Sequence, residues 1–179
     1  SKAQMRFCGG GLHGSVFFFY LWKDYISRSC METIEQVRPS EYEIERGKPM
    51  PNLAHGAIQM NLGFELKLHY GNQYRIASEV ALATEPEGST PDVVVYPQRE
   101  LNLVNEQARQ TDAPLLVAEI QSPSQSMDGM VDKTARYFSF GVKSCWVVFP
   151  AIRGIAVYSA PGVYTFFHNE DILKDATLQ

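Results

Sequence analysis

Two carboxylates in this sequence stand beside apolar runs that would not ordinarily carry charge. Glu119 lies in "LLVAEIQSPS" (115–124), directly behind Leu115, Leu116, Val117 and Ala118, with Ile120 after it. Four apolar residues in a row give no period-two alternation, and such a run fits a strand covered on both faces. Burying a lone ionised carboxylate costs roughly several kcal/mol unless a partner charge or a metal compensates, so Glu119 needs either an exit to solvent or a cation. Asp92 follows Pro91 and opens "VVVY" (93–96), the start of a second apolar strand. Brought together on one sheet, two such hard oxygen ligands suit Mg2+ (or Mn2+); Mg2+ takes octahedral oxygen coordination at about 2.0–2.1 Å and keeps several waters. Beside a phosphate, an ion of this kind activates water and offsets charge on the leaving oxygen. Two plainer readings stay open: Pro91-Asp92 as a turn that caps a strand, and Glu119 as a strand-end carboxylate paired with Arg136 or Lys133.

The elements that must position these groups are legible as patterns. A helix is predicted over 53–70, with Ile58, Leu62 and Leu66 at helical spacing, Asn52 as its cap and Gly71 as its stop. Strands are predicted at 74–84, 91–97, 114–121, 143–150, 153–159 and 162–168, each rich in β-branched or aromatic residues, most of them bracketed by Pro or Gly. A second helix at 128–140 places Met130, Val131, Ala135 and Phe138 on one side, with Ser124 as its cap, and stops at Gly141. Residues 98–113 read as a polar helix or an excursion. The sum is an α/β fold, a mixed sheet flanked by helices, ending in a C-terminal hairpin.

At 179 residues, 45% hydrophobic and with a net charge of −4, the chain reads as one globular domain. Residues 1–30 carry Lys2, Arg6, Lys23 and Arg28 against Asp24 alone, so the remainder is more acidic than the total. That argues against non-specific coating of nucleic acid, which needs a concentrated basic surface. A local basic groove remains open to Arg75, Arg99, Arg109, Arg136, Lys143 and Arg153. Cys8, Cys30 and Cys145 show neither disulfide nor zinc spacing, which fits a reducing, cytoplasmic setting. The apolar block at 16–22 is too short to span a bilayer. Met31 reads as the natural start, with 1–30 an N-terminal extension outside the fold and 31–179 a single domain.

"PDVVVYP", "LLVAEIQSPS" and "DKTARYFSFGVKSCWVVFP" together resemble the PD-(D/E)XK nuclease superfamily. More closely, residues 40–160 resemble the restriction-endonuclease-like family expanded in cyanobacteria and long filed as a domain of unknown function. The resemblance implies a restriction-endonuclease-like core and a Mg2+-dependent endonuclease acting on nucleic acid, double-stranded DNA first. It implies Asp92 and Glu119 as metal ligands. Gln121 stands where the simplest superfamily pattern has lysine and would position water or ligand. The lysine comes instead from the next helix as Lys133, whose ammonium would orient the attacking water or stabilise the pentacovalent phosphorus. Glu43, in "YEIERG" ahead of Gly47, matches an early acidic position that adds a ligand or orients water. His55 matches a frequent histidine suited to contact phosphate at a helix N-terminus. Cys145 and Phe149 depart from the family's tyrosine and aspartate. Tyr137, Trp146 and Cys145 read as core packing, and Glu79 as facing water or approaching the carboxylates. Cutting both strands of a duplex favours a homodimer. The rival expectation is a catalytically inactive module of the same fold that binds nucleic acid or a protein partner.

Overall fold

In the computed structural model, the described residues are 52–105, 107–168 and 171–178. Glu43, Gly47 and the boundary expected at Met31 lie outside them. Helix α1 (Leu53–Tyr70) starts where Asn52 holds extended backbone and its side chain accepts from the His55 N–H at 2.9 Å. This caps one of the amides that a helix start leaves without a partner. Ile58, Leu62 and Leu66 are all buried, as their spacing predicts. Gly71 ends the helix through a bond to the Lys67 carbonyl, but in right-handed backbone (φ −62°), not the left-handed conformation usual at such a stop.

Six strands follow: β1 (Tyr74–Ser78), β2 (Val93–Pro97), β3 (Leu116–Ile120), β4 (Ser144–Phe149), β5 (Gly154–Ala160) and β6 (Val163–His168). They form one sheet in sequence order, antiparallel everywhere except between β3 and β4. A parallel pair needs a crossover, and helix α2 (Met127–Phe140) supplies it. The predicted C-terminal hairpin is β5–β6, turning at Pro161-Gly162 with Gly162 at φ 73°.

The central strands of the sheet are buried on both sides. Val93, Val95, Leu116, Ala118 and Ile120 pack with the apolar residues of α1. Val94, Tyr96, Val117 and Cys145 pack with Met130 and Tyr137 of α2. That double cover is why β3 and β4 read as continuous apolar runs.

Several boundaries differ from the sequence expectation. The strand expected over 74–84 stops at Ser78 because Glu79 takes left-handed backbone (φ 55°). Leu82 then makes only isolated bridges, to Ser89 and Gln110. Residues 98–105 and 107–113 form no helix; Tyr96 and Arg99 tie this stretch back through Asp112 at 3.1 and 2.7 Å. Ser126, not Ser124, caps α2 by accepting from the Gly129 N–H at 3.1 Å. On α2 the buried stripe is Met130, Thr134 and Tyr137, while Val131 is 41% exposed. Positions 130, 134 and 137 share one helical face, and 131 is turned away from it. Among the described residues, no helix is long and apolar enough to cross a membrane.

Gly141 closes α2 in the left-handed region (φ 115°). Its N–H bonds the Phe138 carbonyl at 3.0 Å, and the Val142 N–H bonds the Tyr137 carbonyl at 3.1 Å. This is a Schellman cap. A Cβ added at Gly141 would lie 3.2 Å from the Ala113 Cβ and hold an L-residue in strained backbone. Gly141→Ala is therefore expected to cost about 1–2 kcal/mol and to lower Tm by roughly 2–8 °C. A thermal melt checks this, and an unchanged Tm would count against the cap as a determinant of where α2 ends.

Candidate functional site

Because β2 and β3 run antiparallel with Val93 opposite Ala118, the start of β2 and the end of β3 fall at the same edge of the sheet. Asp92 and Glu119 therefore meet there, 6% and 3% exposed. Glu119 shares its side of β3 with Val117 and points toward α2. Lys133 donates to its Oε2 at 2.8 Å, and the Tyr137 hydroxyl donates to its Oε1. Lys133 and Tyr137 are four residues apart, so one helical face delivers both donors. The question raised by a carboxylate in an apolar strand has a direct answer: Glu119 has a cation.

Burial raises the Glu119 pKa above the usual carboxylate range, and Asp92 adds to that push; Lys133 and the hydrogen bonds from Lys133 and Tyr137 pull the other way. Tyr137 is pushed well above the ordinary phenol range, by burial first and by the Glu119 charge second. It is thus a permanent donor. Burial likewise raises the Cys145 thiol, so this cysteine is inert core, as expected.

Asp92 is braced from the other helix. Its Oδ1 lies 3.1 Å from His55 Nε2, and its Oδ2 accepts the Ile120 N–H at 2.7 Å. Its main-chain carbonyl accepts from Gln59 Nε2 at 2.9 Å, and the same amide lies 3.5 Å from Glu79 Oε1. His55 and Gln59 are again four residues apart. Each acidic residue is thus met by an i, i+4 pair from the helix on its side: Lys133 and Tyr137 both reach the Glu119 carboxylate, whereas His55 reaches the Asp92 carboxylate and Gln59 its main-chain carbonyl.

Of the residues singled out from the sequence, Asp92, Glu119, Lys133 and His55 come together. Gln121 does not join them. Its side chain donates to the Gln125 carbonyl at 3.2 Å, and Gln125 in turn accepts from the Ser122 N–H at 2.9 Å, so Gln121 shapes the loop leading into α2. Arg136 pairs with Glu87 at 3.2 Å, not with Glu119. Arg75 and Arg109 donate to main-chain carbonyls, of Arg99 and Glu87. Arg99 pairs with Asp112 and stacks on the Tyr96 ring at 3.9 Å. Two contributors were missed, Tyr137, read as packing alone, and Gln59, while Glu79, expected to face water or approach the carboxylates, lies beside Gln59 and Asp92. Both missed residues were findable, since each sits one turn past a residue already chosen. Among the described residues no group of three or more His, Cys, Asp or Glu is poised around a metal position. The hard oxygen donors brought together are the two carboxylates.

The sheet thus carries two acids at one end, with a lysine beside one of them. The chain belongs to the Uma2 family, described as "Putative restriction endonuclease", whose model matches residues 22–178. Among solved structures it is similar to a protein from Anabaena variabilis described as "a putative nuclease belonging to DUF820". That likeness has a TM-score of 0.61 at 20% identity and covers 73% of this chain and 76% of the other; it bears on the fold. No curated protein matches. The restriction-endonuclease-like fold implied by the sequence resemblance is thus the fold observed.

The ion pair makes a pH-dependent statement. A carboxyl whose folded pKa lies above its unfolded value, about 4.3, binds more protons in the native state across the interval between the two. Its contribution to stability therefore falls as pH rises through that interval. In metal-free buffer, wild type is expected to lose stability relative to Glu119→Gln between pH 4.5 and 8, as read by urea unfolding. Lys133→Met, which strands the buried charge, is expected to lose about 3 kcal/mol at pH 8, the low end for a broken buried pair, because Lys133 keeps 25% of its side chain exposed. It should recover part of this at pH 5. A pH-independent gap to Glu119→Gln would mean that folding does not raise the Glu119 pKa.

Proposed function

We propose that this protein is a divalent-metal-dependent endonuclease that hydrolyses phosphodiesters of nucleic acid, with double-stranded DNA as substrate and the cytoplasm as its setting. One observation carries the reading. Two nearly buried carboxylates on adjacent strands share one edge of the sheet, and a single ammonium stands on one of them. Membership of a family described as "Putative restriction endonuclease" supports it. Two carboxylates form a small donor set, which fits a hard ion that retains several waters. When bound, Mg2+ or Mn2+ supplies Lewis acidity at the phosphate and lowers the pKa of water.

In this reading Asp92 and Glu119 hold the ion. The rest is done by the chain's other residues. Lys133, already within 2.8 Å of Glu119 Oε2, offers three donors on a flexible stem; it orients the attacking water and takes up charge on a non-bridging phosphate oxygen. His55 fixes the Asp92 carboxyl from α1. Glu43 adds an acidic group from the segment ahead of α1. Gln121 orders the loop between β3 and α2, and so the position of Lys133. Cutting both strands of a duplex calls for two copies of the site, which a symmetric homodimer provides.

A second reading, a catalytically inactive module that binds nucleic acid or a protein, draws on one contact: the side chain at 121 is not lysine and is engaged by its own loop. Plasmid cleavage decides between them. Wild type with Mg2+ or Mn2+ is expected to nick and linearise supercoiled DNA, and to stop when EDTA is added. Asp92→Ala, Glu119→Ala and Lys133→Ala are each expected to slow the reaction by about 100-fold or more. Cleavage that persists in all three belongs to another site or a contaminant; none by wild type at any metal concentration leaves the binding module.

A further inference from the structure

Tyr137 is fully buried, yet it carries a hydroxyl in a core where phenylalanine would fill nearly the same volume. A buried phenol oxygen needs a partner, and here the partner is Glu119 Oε1. The other oxygen of that carboxylate is taken by Lys133. The two donors are unlike. Lys133 sits on a long stem with 25% of its side chain exposed, so it satisfies charge without fixing a plane. Tyr137 is rigid, and it is held at its backbone as well: its carbonyl accepts from both Gly141 and Val142 at the Schellman cap, at 3.2 and 3.1 Å. The end of α2 thus fixes the ring, and the ring fixes one oxygen of the carboxylate.

We infer that Tyr137 is a positioning residue of the proposed centre: by pinning Glu119 Oε1 it sets the rotation in which the carboxylate's remaining lone pairs are presented, and thereby the affinity of the site for a divalent cation. The inference rests on the metal-dependent reading above. Outer partners of metal ligands typically contribute about 10–100-fold in affinity, and that is the range in which Tyr137 acts.

The test is Mn2+ binding, followed by the electron paramagnetic resonance of free Mn2+, on folded wild type, Tyr137→Phe, Glu119→Gln and the double variant. Tyr137→Phe is expected to raise the Mn2+ Kd about 10–100-fold, while plasmid cleavage at saturating Mn2+ returns close to the wild-type rate. In the Glu119→Gln background the same change is expected to do nothing further, because the group it acts through is gone. Unchanged affinity in Tyr137→Phe, or an equal loss in both backgrounds, would overturn the inference while leaving the nuclease reading standing. Folded wild type that binds no Mn2+ overturns both. A readout that needs no altered Tyr137 is the fluorine resonance of that residue in 3-fluorotyrosine-labelled protein. It is expected to shift and saturate as Mg2+ is added, and a resonance that stays fixed through saturation counts against the inference.

Discussion

The molecule is organised around one uncomfortable charge. Glu119 stands in a strand whose every residue is buried, and an unpaired carboxylate in such a place would be untenable. The compensation comes from α2, the crossover that the parallel β3–β4 pair requires in any case. The topological necessity and the electrostatic one are met by the same fourteen residues. This ties the fold to the site: α2 cannot shift along the sheet without removing Lys133 and Tyr137 from Glu119. A buried ion pair of this kind adds little net stability compared with apolar packing.

Two helices approach the acidic edge from opposite sides of the sheet and use the same device. His55 and Gln59 reach Asp92 from α1; Lys133 and Tyr137 reach Glu119 from α2. In the α2 pair Lys133 brings charge and Tyr137 a neutral donor to one carboxylate; in the α1 pair His55 meets the Asp92 carboxylate and Gln59 its main-chain carbonyl. Charge alone draws a carboxylate inward but leaves its orientation loose, whereas a neutral donor on a rigid frame adds direction. Together they hold two acids at the margin of a dry core.

Much of this was written in the sequence where one physical rule dominated. The burial of Ile58, Leu62 and Leu66, the two-sided cover of the β3 run and the left-handed stop at Gly141 each follow from periodicity or backbone sterics alone. Asp92 and Glu119 stood out because a charge in an apolar run demands an explanation. What was hidden depends on the third dimension. Nothing local says that Glu79 takes left-handed backbone and cuts β1 short, or that Ser126 outcompetes Ser124 as the helix cap, a choice made by the turn through Gln125. Tyr137 was misjudged for an instructive reason: an aromatic on an apolar helix face reads as filler, and only its distance to a residue on another element shows that its oxygen has a task. Lys133 was recovered through the family resemblance, since a lone lysine on a helix looks the same whether it faces solvent or leans over a strand.

The bond from Ile120 to Asp92 Oδ2 has a wider meaning. At that rung of the sheet a side-chain oxygen takes the place of a peptide carbonyl. Peptide carbonyls cannot be titrated or recruited elsewhere; a carboxylate can. Whatever draws Asp92 away from Ile120 loosens the tip of β3, and whatever frays that tip releases Asp92, so fraying there and the position of the Asp92 carboxylate are one equilibrium seen from two sides. Amide exchange at Ile120 is therefore a window onto where that carboxylate stands.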